Sequence, residues 1–196
     1  MRSVKKEVLR LMTFATSCVS INETGNFCST YVSYLFEAIL IDYKQNVPQA
    51  RDSEVLVLTS KIIDNFKEQL VGNYVLPILE AVFEPTLNMI NRDFSDFPEH
   101  RMAFFILLQS ICSQCFSSLL QLPQNLVKLF IDSIVWSFKH THREVADIGL
   151  TICLNLLQNI EKTGGNYAET FYSSFYVSLL QDIFFVLTDS DHQSGI

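Results

Sequence analysis

The stretch SFKHTHREVAD, Ser137–Asp147, places His140 and His142 one residue apart among Lys139, Arg143, Glu144 and Asp147. Two imidazoles this close could share a metal ion or pass on a proton. A metal site wants three or four ligands, and no third one follows this pair at a matched spacing. The residues also fall where one helical pattern ends and the next begins. There a donor or cation meets free helix carbonyls, and Glu144 suits the positive end of the following helix. The stretch is therefore read as a polar turn between helices.

A second candidate is Cys112-Ser-Gln-Cys115. A redox pair needs its first thiol at a helix N-terminus, where the dipole favours the thiolate. This pair instead falls deep inside a helix predicted to start near Pro98, among Phe104, Phe105, Leu108, Ile111 and Phe116. Both cysteines read as buried small hydrophobes, and no second pair completes a zinc knuckle. Glu80 and Glu84 share a helix face, an arrangement that is ordinarily just solvated. The chain has no GxSxG elbow and no Ser–His–Asp framework, and no strand precedes Gly164-Gly165 to form a phosphate loop. The reading is of a protein without catalytic, cofactor or metal residues, acting by binding.

The elements that must present a binding surface are all helical. The chain has 196 residues, 48% hydrophobic and 18% charged, with sixteen Phe. That is too apolar for disorder and long enough to bury a core. The net charge of −7 opposes general nucleic-acid binding, which needs a basic surface. The five cysteines, Cys18, Cys28, Cys112, Cys115 and Cys153, are odd in number and scattered through apolar segments. They read as free thiols in a reducing compartment. The opening residues carry charge as far as Arg10, and Thr13, Thr16 and Ser17 interrupt their apolar part. They read as an amphipathic helix rather than a signal peptide. No unbroken apolar run reaches membrane-spanning length, so no transmembrane helix is expected.

Strand signals are nearly absent and helical spacing is pervasive. Breaks are predicted near Asn22–Gly25, Asn46–Asp52, Val71–Asn73, Asp93–Asp96, Leu122–Pro123, Thr141 and Gly164–Asn166. They cut the chain into eight helical segments of roughly 17 to 24 residues. Asp96 is the expected cap and Pro98 the first turn of one helix. Pro85, well inside another, is expected to kink it. The hexamers Leu35–Leu40, Ile78–Phe83, Phe130–Val135 and Leu179–Phe184 share a pattern of two apolar residues, an acid or amide, a smaller residue and two more apolar residues. Their spacing is that of helix-pair solenoids of the HEAT class. The fold expected is all-α, an α-solenoid of about four antiparallel helix pairs. The pairs cover approximately residues 1–46, 47–94, 95–140 and 141–190, in a single array.

The second helix of each pair carries a polar stripe at helical spacing. The stripes are Ser33, Glu37 and Lys44; then Glu80, Glu84, Asn88 and Asn91; then Lys128, Asp132 and Lys139; and last Ser174, Ser178 and Gln181. In a stacked array these stripes would line one surface. That surface is the candidate partner face.

Several long runs carry a family resemblance: MRSVKKEVLRLM, AILIDYKQNVPQARDSEVL, AVFEPTLNMINRDFSDFPEHR and DSIVWSFKHTHREVADIGL. They resemble the C-terminal part of the chromosome-region-maintenance exportins of the karyopherin-β superfamily. The likeness runs over essentially the whole chain and is loosest at residues 61–76, 161–168 and the last few. It implies an arc from a ring of HEAT repeats that carries cargo with leucine-rich export signals through nuclear pores, together with GTP-bound Ran. Nucleoporins are implied partners and shuttling between nucleus and cytoplasm the implied location, with no membrane and no direct nucleic acid. The family's export-signal groove, its reactive cysteine and its N-terminal Ran-binding repeats lie before the part matched here, so none of the five cysteines inherits that role. By position, Lys128, Asp132, Lys139, Glu80 and Glu84 are the candidate partner-facing residues. The end faces of such an arc should expose apolar side chains. The alternative reading is a free-standing helical-repeat adaptor for another protein partner.

Overall fold

The computed structural model describes residues 2–19, 24–91 and 96–188. Among them there is no strand. The helices are α1 (Arg2–Cys18), α2 (Thr24–Phe27), α3 (Ser33–Gln45), α4 (Glu54–Val71), α5 (Val75–Ile90), α6 (Pro98–Gln114), α7 (Phe116–Leu120), α8 (Gln124–Phe138), α9 (Arg143–Thr163) and α10 (Gly165–Thr188). A π-turn at Cys28–Val32 leads into α3, and 3-10 turns at Pro48–Ala50 and Gly72–Tyr74 lead into α4 and α5. The predicted breaks around Asn22 and Asp93 lie outside the described residues. Some helices are shorter than predicted: α3 has 13 residues and α8 has 15, because turns and short helices take up the remainder.

The helices form two compact units, divided after Pro123. In the first, α1, α4 and α6 pack side by side, and α3 packs on α5. Polar contacts between neighbours show that each layer runs parallel. Arg10, midway along α1, pairs with Glu54 at the start of α4 (2.7 Å), and further along both helices Asn65 Nδ2 donates to the Thr16 carbonyl (2.8 Å). Ser53 donates to Glu99 (3.3 Å), and Glu68 receives the Ser118 amide (2.6 Å) and hydroxyl (2.9 Å). In the second layer Phe36 packs on Tyr74, and Tyr43 Oη bonds Thr86 Oγ1 (2.9 Å) with both groups buried. Partners in these bonds and pairs stand 43 to 50 residues apart in sequence. This is the arrangement of an all-α helical repeat, in which each pair covers the apolar face of the next. The core between the layers holds Val55, Leu58, Ile62, Val82, Phe83, Phe104, Phe105 and Leu108, all essentially without solvent contact. Phe83 and Phe104 meet edge to face at 5.5 Å.

Two arginines close the corners of this unit. Arg51 donates to the Tyr43 (2.9 Å) and Lys44 (3.4 Å) carbonyls at the end of α3 and to the Pro85 carbonyl in α5 (3.2 Å). Arg101, only 3% exposed, donates to Ile90 at the end of α5 (3.1 Å) and to Asp96 (3.0 Å). Each guanidinium thus satisfies helix-terminal carbonyls that would otherwise lose water on burial. The expected cap at Asp96 is corrected by this geometry. The residue before α6 is Phe97, in the left-handed conformation at φ 51, and Asp96 contributes its carbonyl to Arg101. Pro98 does begin the helix.

At Pro85, where the sequence predicts a kink, α5 continues from Val75 to Ile90. The sharp departure lies in α4, where Lys67 takes φ 56 and ψ −179. That region belongs almost entirely to glycine, so Lys67 carries local strain. The second correction concerns Cys115. The long helix predicted through it stops at Gln114, and Cys115 (φ −132, ψ 41) separates α6 from α7.

In the second unit a four-residue link joins α8 to α9, and α10 lies against both. The two helices of the hairpin meet at Gly149, where a Cβ would stand 2.1 Å from Ser137 Oγ and 2.6 Å from the Phe138 amide nitrogen. Gly164, at φ 63, ends α9 and returns its amide to the Ile160 carbonyl (3.0 Å). Among the described residues, α10 alone is long and apolar enough on average to cross a bilayer. The sequence expectation of no such helix rested on the absence of an unbroken apolar run. Phe171 and Leu179 of α10 are buried, and Asp182 pairs with Lys139, the residue just after α8.

The corner arginines give a direct test. Replacing Arg101 with Ala strands buried carbonyls and should lower unfolding stability by about 2–4 kcal/mol in urea melts. Lysine should recover little, since its ammonium is more strongly hydrated than a guanidinium and costs more to bury at this 3% exposed position. Full recovery with lysine would contradict this role.

Candidate partner-binding surface

The four predicted stripes lie on α3, α5, α8 and α10, and the structure gathers most of their residues into two grooves, one in each unit. In the first unit Ser33, Glu37 and Lys44 of α3 face Glu80 of α5 across a groove of about 360 Å³. Its floor is apolar: Phe36, Leu40, Ile41, Tyr74, Pro77 and Ala81. Glu84, Asn88 and Asn91 are exposed but lie outside it. The helical period brings Glu80 into the groove beside Ala81 and Pro77, while the next turn carries Glu84 past its end.

In the second unit Lys128 and Asp132 of α8, with Lys139 just past its end, face Ser174 and Ser178 of α10, over Ile131, Trp136, Phe175 and Leu179. The charges here are paired within the chain. Lys128 Nζ donates to Asp132 at 2.6 Å, one turn along, and Lys139 pairs with Asp182. Lys139 Nζ also stands 5.3 Å from the centre of the Phe185 ring. The first groove differs. Among the described residues Glu37, Glu80 and Lys44 make no side-chain ion pair.

Sequence reasoning missed Asp182, which stands 43 residues after Lys139 and so at the repeat spacing seen in the first unit. It also missed Arg51 and Arg101. Both end a Pro-x-x-Arg run, PQAR and PEHR, and that recurrence was the available signal.

The His140–His142 turn is polar, with His142 exposed and His140 turned inward. His140 is buried, and its Nδ1 accepts the His142 backbone amide at 2.8 Å. The expected donation to helix carbonyls is thus replaced at that nitrogen by acceptance, which turns the chain into α9. The ring also meets Trp136 edge to face at 5.1 Å. Among the described residues no group of three or more His, Cys, Asp or Glu is placed to hold a metal ion.

Cys112, Cys115 and Cys153 are buried and Cys18 is exposed. Burial, reinforced by Glu68 and Asp64, pushes the Cys115 thiol from 9.0 up to about 12. Burial also raises Cys153. A thiol held this way is the opposite of an activated redox cysteine. Tyr43 is likewise pushed from 10.0 up to about 12 by burial, which outweighs its bond to Thr86 and the charge of Arg51.

Two outcomes follow. Thiol reagents should modify Cys18 in the folded chain, with Cys112, Cys115 and Cys153 reacting roughly 100-fold more slowly until it unfolds. Peptide mass mapping of the labelled sites checks this. Cys115 and Tyr43 hold their protons more tightly folded than unfolded. Their stabilising contribution is whole below the unfolded values of 9.0 and 10.0 and is lost as pH climbs toward about 12. The urea midpoint should therefore fall between about pH 8.5 and about pH 11. A midpoint unchanged across that interval would contradict the burial of these groups.

Comparison with known proteins agrees with the resemblance read from the sequence. The family model described as "CRM1 C terminal" matches residues 1–196. Exportin-1 of Schizosaccharomyces pombe is 47% identical over 196 residues, and Exportin-1 of Dictyostelium discoideum 45% over 195. Exportin-1 of Drosophila melanogaster is 41% identical over 197 residues. Each alignment covers 100% of this chain and 18% of the relative. The chain thus spans under a fifth of the length of the relatives it matches. By this whole-length match, on a helical-repeat fold, it belongs to the CRM1 C-terminal family of exportins.

Proposed function

We propose that this chain is an arc of the C-terminal region of a nuclear export receptor. The receptor carries proteins bearing leucine-rich export signals through nuclear pores together with GTP-bound Ran. The observation that carries the reading is the family match across all 196 residues. The relatives are named Exportin-1, and this chain corresponds to 18% of each. The whole receptor shuttles between nucleus and cytoplasm and meets nucleoporins on the way.

Within that receptor the arc, about four HEAT pairs at residues 1–46, 47–94, 95–140 and 141–190, works by shape and charge rather than by chemistry. Its second helices present Lys128, Asp132, Lys139, Glu80 and Glu84 on the partner-facing side. Its end faces fit this role, because α1 exposes Val4 and Phe14 (65% and 68%) and α10 exposes Phe184 and Leu187 (60% and 63%). Neighbouring repeats of the receptor would cover these side chains. The acidic net charge of −7 fits protein partners better than nucleic acid.

The test uses the intact receptor. GTP-loaded Ran should bind at least about tenfold more tightly than GDP-loaded Ran, a coupling on the order of 1.4 kcal/mol or more. Reversing Lys128 and Lys139 to Glu should weaken the GTP-dependent complex several-fold. Equal binding of the two nucleotide forms would contradict the reading. So would a native polypeptide of only 22.5 kDa in its source cells, which would favour a free-standing repeat adaptor.

A further inference from the structure

The two grooves have similar walls but differently used charges. In the α8–α10 groove each lysine already has a carboxylate of its own chain, Lys128 with Asp132 and Lys139 with Asp182. A partner's charge must compete with those pairs. In the α3–α5 groove, exposed Glu37 and Glu80 stand on opposite walls above Phe36, Leu40, Ile41, Pro77 and Ala81. Among the described residues neither glutamate side chain makes a hydrogen bond or an ion pair. Among the described residues lining this groove Lys44 is the one cation, and Glu84 on the next turn of α5 adds a further exposed acid nearby.

From this contrast we propose that the α3–α5 groove docks a partner segment that inserts an apolar side chain between the helices and sets an Arg or Lys beside it against Glu37 and Glu80. The inference rests on the reading of the second-helix face as partner-facing and names the chemistry of what it takes. The apolar floor supplies contact area, and the paired acids supply orientation and selectivity. A cation over this groove meets two unneutralised carboxylates and one ammonium, so the local field favours it. The site is open to solvent and about 360 Å³. It suits one or two side chains of a protein segment better than an enclosed small molecule. The α8–α10 groove offers no such preference, because its lysines are already matched by Asp132 and Asp182.

The probes are phenethylguanidinium, uncharged 2-phenylethanol and 3-phenylpropanoate, titrated into the isotope-labelled chain and followed by amide NMR. Phenethylguanidinium should shift the amides of Glu37, Leu40, Lys44, Glu80 and Ala81 at concentrations at least about fivefold lower than the alcohol. The carboxylate should be the weakest of the three. The double variant Glu37→Gln with Glu80→Gln should erase the advantage of the cation while leaving the alcohol's response and the dispersion of the spectrum unchanged. Added salt should act in the same direction as the variant. Equal responses to all three probes would overturn the proposal, as would preference for the carboxylate or the same cation preference at Lys128 and Lys139. The titration needs neither Ran nor cargo, so its failure is separate from failure of the export-receptor reading.

Discussion

An amphipathic helix pair has two faces to cover and can cover only one by itself, so stacking on a neighbour at a fixed register is the constraint on which this structure depends. The register is written into polar contacts as well as apolar ones. Arg10–Glu54, Tyr43–Thr86, Ser53–Glu99 and Glu68–Ser118 each tie one turn of a helix to the equivalent region of the next. The surface members of this set are individually weak. The buried Tyr43–Thr86 bond is more demanding, because losing either partner leaves a polar group in the core. Around these ties, fully buried Phe104, Phe105, Ile62 and Leu108 supply the bulk of the stabilisation.

Corners need a separate solution. Where the chain leaves one helix and turns into the next, the last carbonyls of the first helix are orphaned. Arg51 and Arg101 answer this in the same way, each reaching back from the following segment to the helix just completed. At the α8–α9 corner the chain uses His140, which receives the amide of His142 instead. The residues that looked most like chemistry in the sequence are thus joints of the scaffold. The second helices instead carry an apolar floor and a few charges at each groove.

The all-helical fold and the stripes were legible because they depend on periodicity, which a single sequence displays directly. Ser33, Glu37 and Lys44 could be predicted to share a face of one helix for that reason, as could Lys128, Asp132 and Lys139 of another and Ser174 and Ser178 of a third. Less legible was whatever depends on which residue meets which across the stack. Nothing local to Asp182 marks it as the partner of Lys139, and nothing local to Glu68 marks it as the cap of Ser118. Local backbone departures were the hardest. Helix propensity runs unbroken through Lys67 and Cys115, yet the chain departs from helix at both, and propensity is only a weak local prior. Pro85, the strongest breaker in its segment, is carried through a continuous α5.

Hydrogen exchange along the chain tests most directly whether stacking between neighbours holds this fold. In the first unit α4 has neighbours on both sides within its layer and α1 on one; in the second, α10 keeps only Phe171 and Leu179 buried. If stacking is the controlling interaction, amides in α4 and α6 should be the most protected. Those in α1 and α10 should exchange at least about tenfold faster, a difference in opening free energy of roughly 1.4 kcal/mol. Uniform protection from α1 to α10 would contradict it, showing that each helix is stabilised on its own rather than by the repeat it packs against.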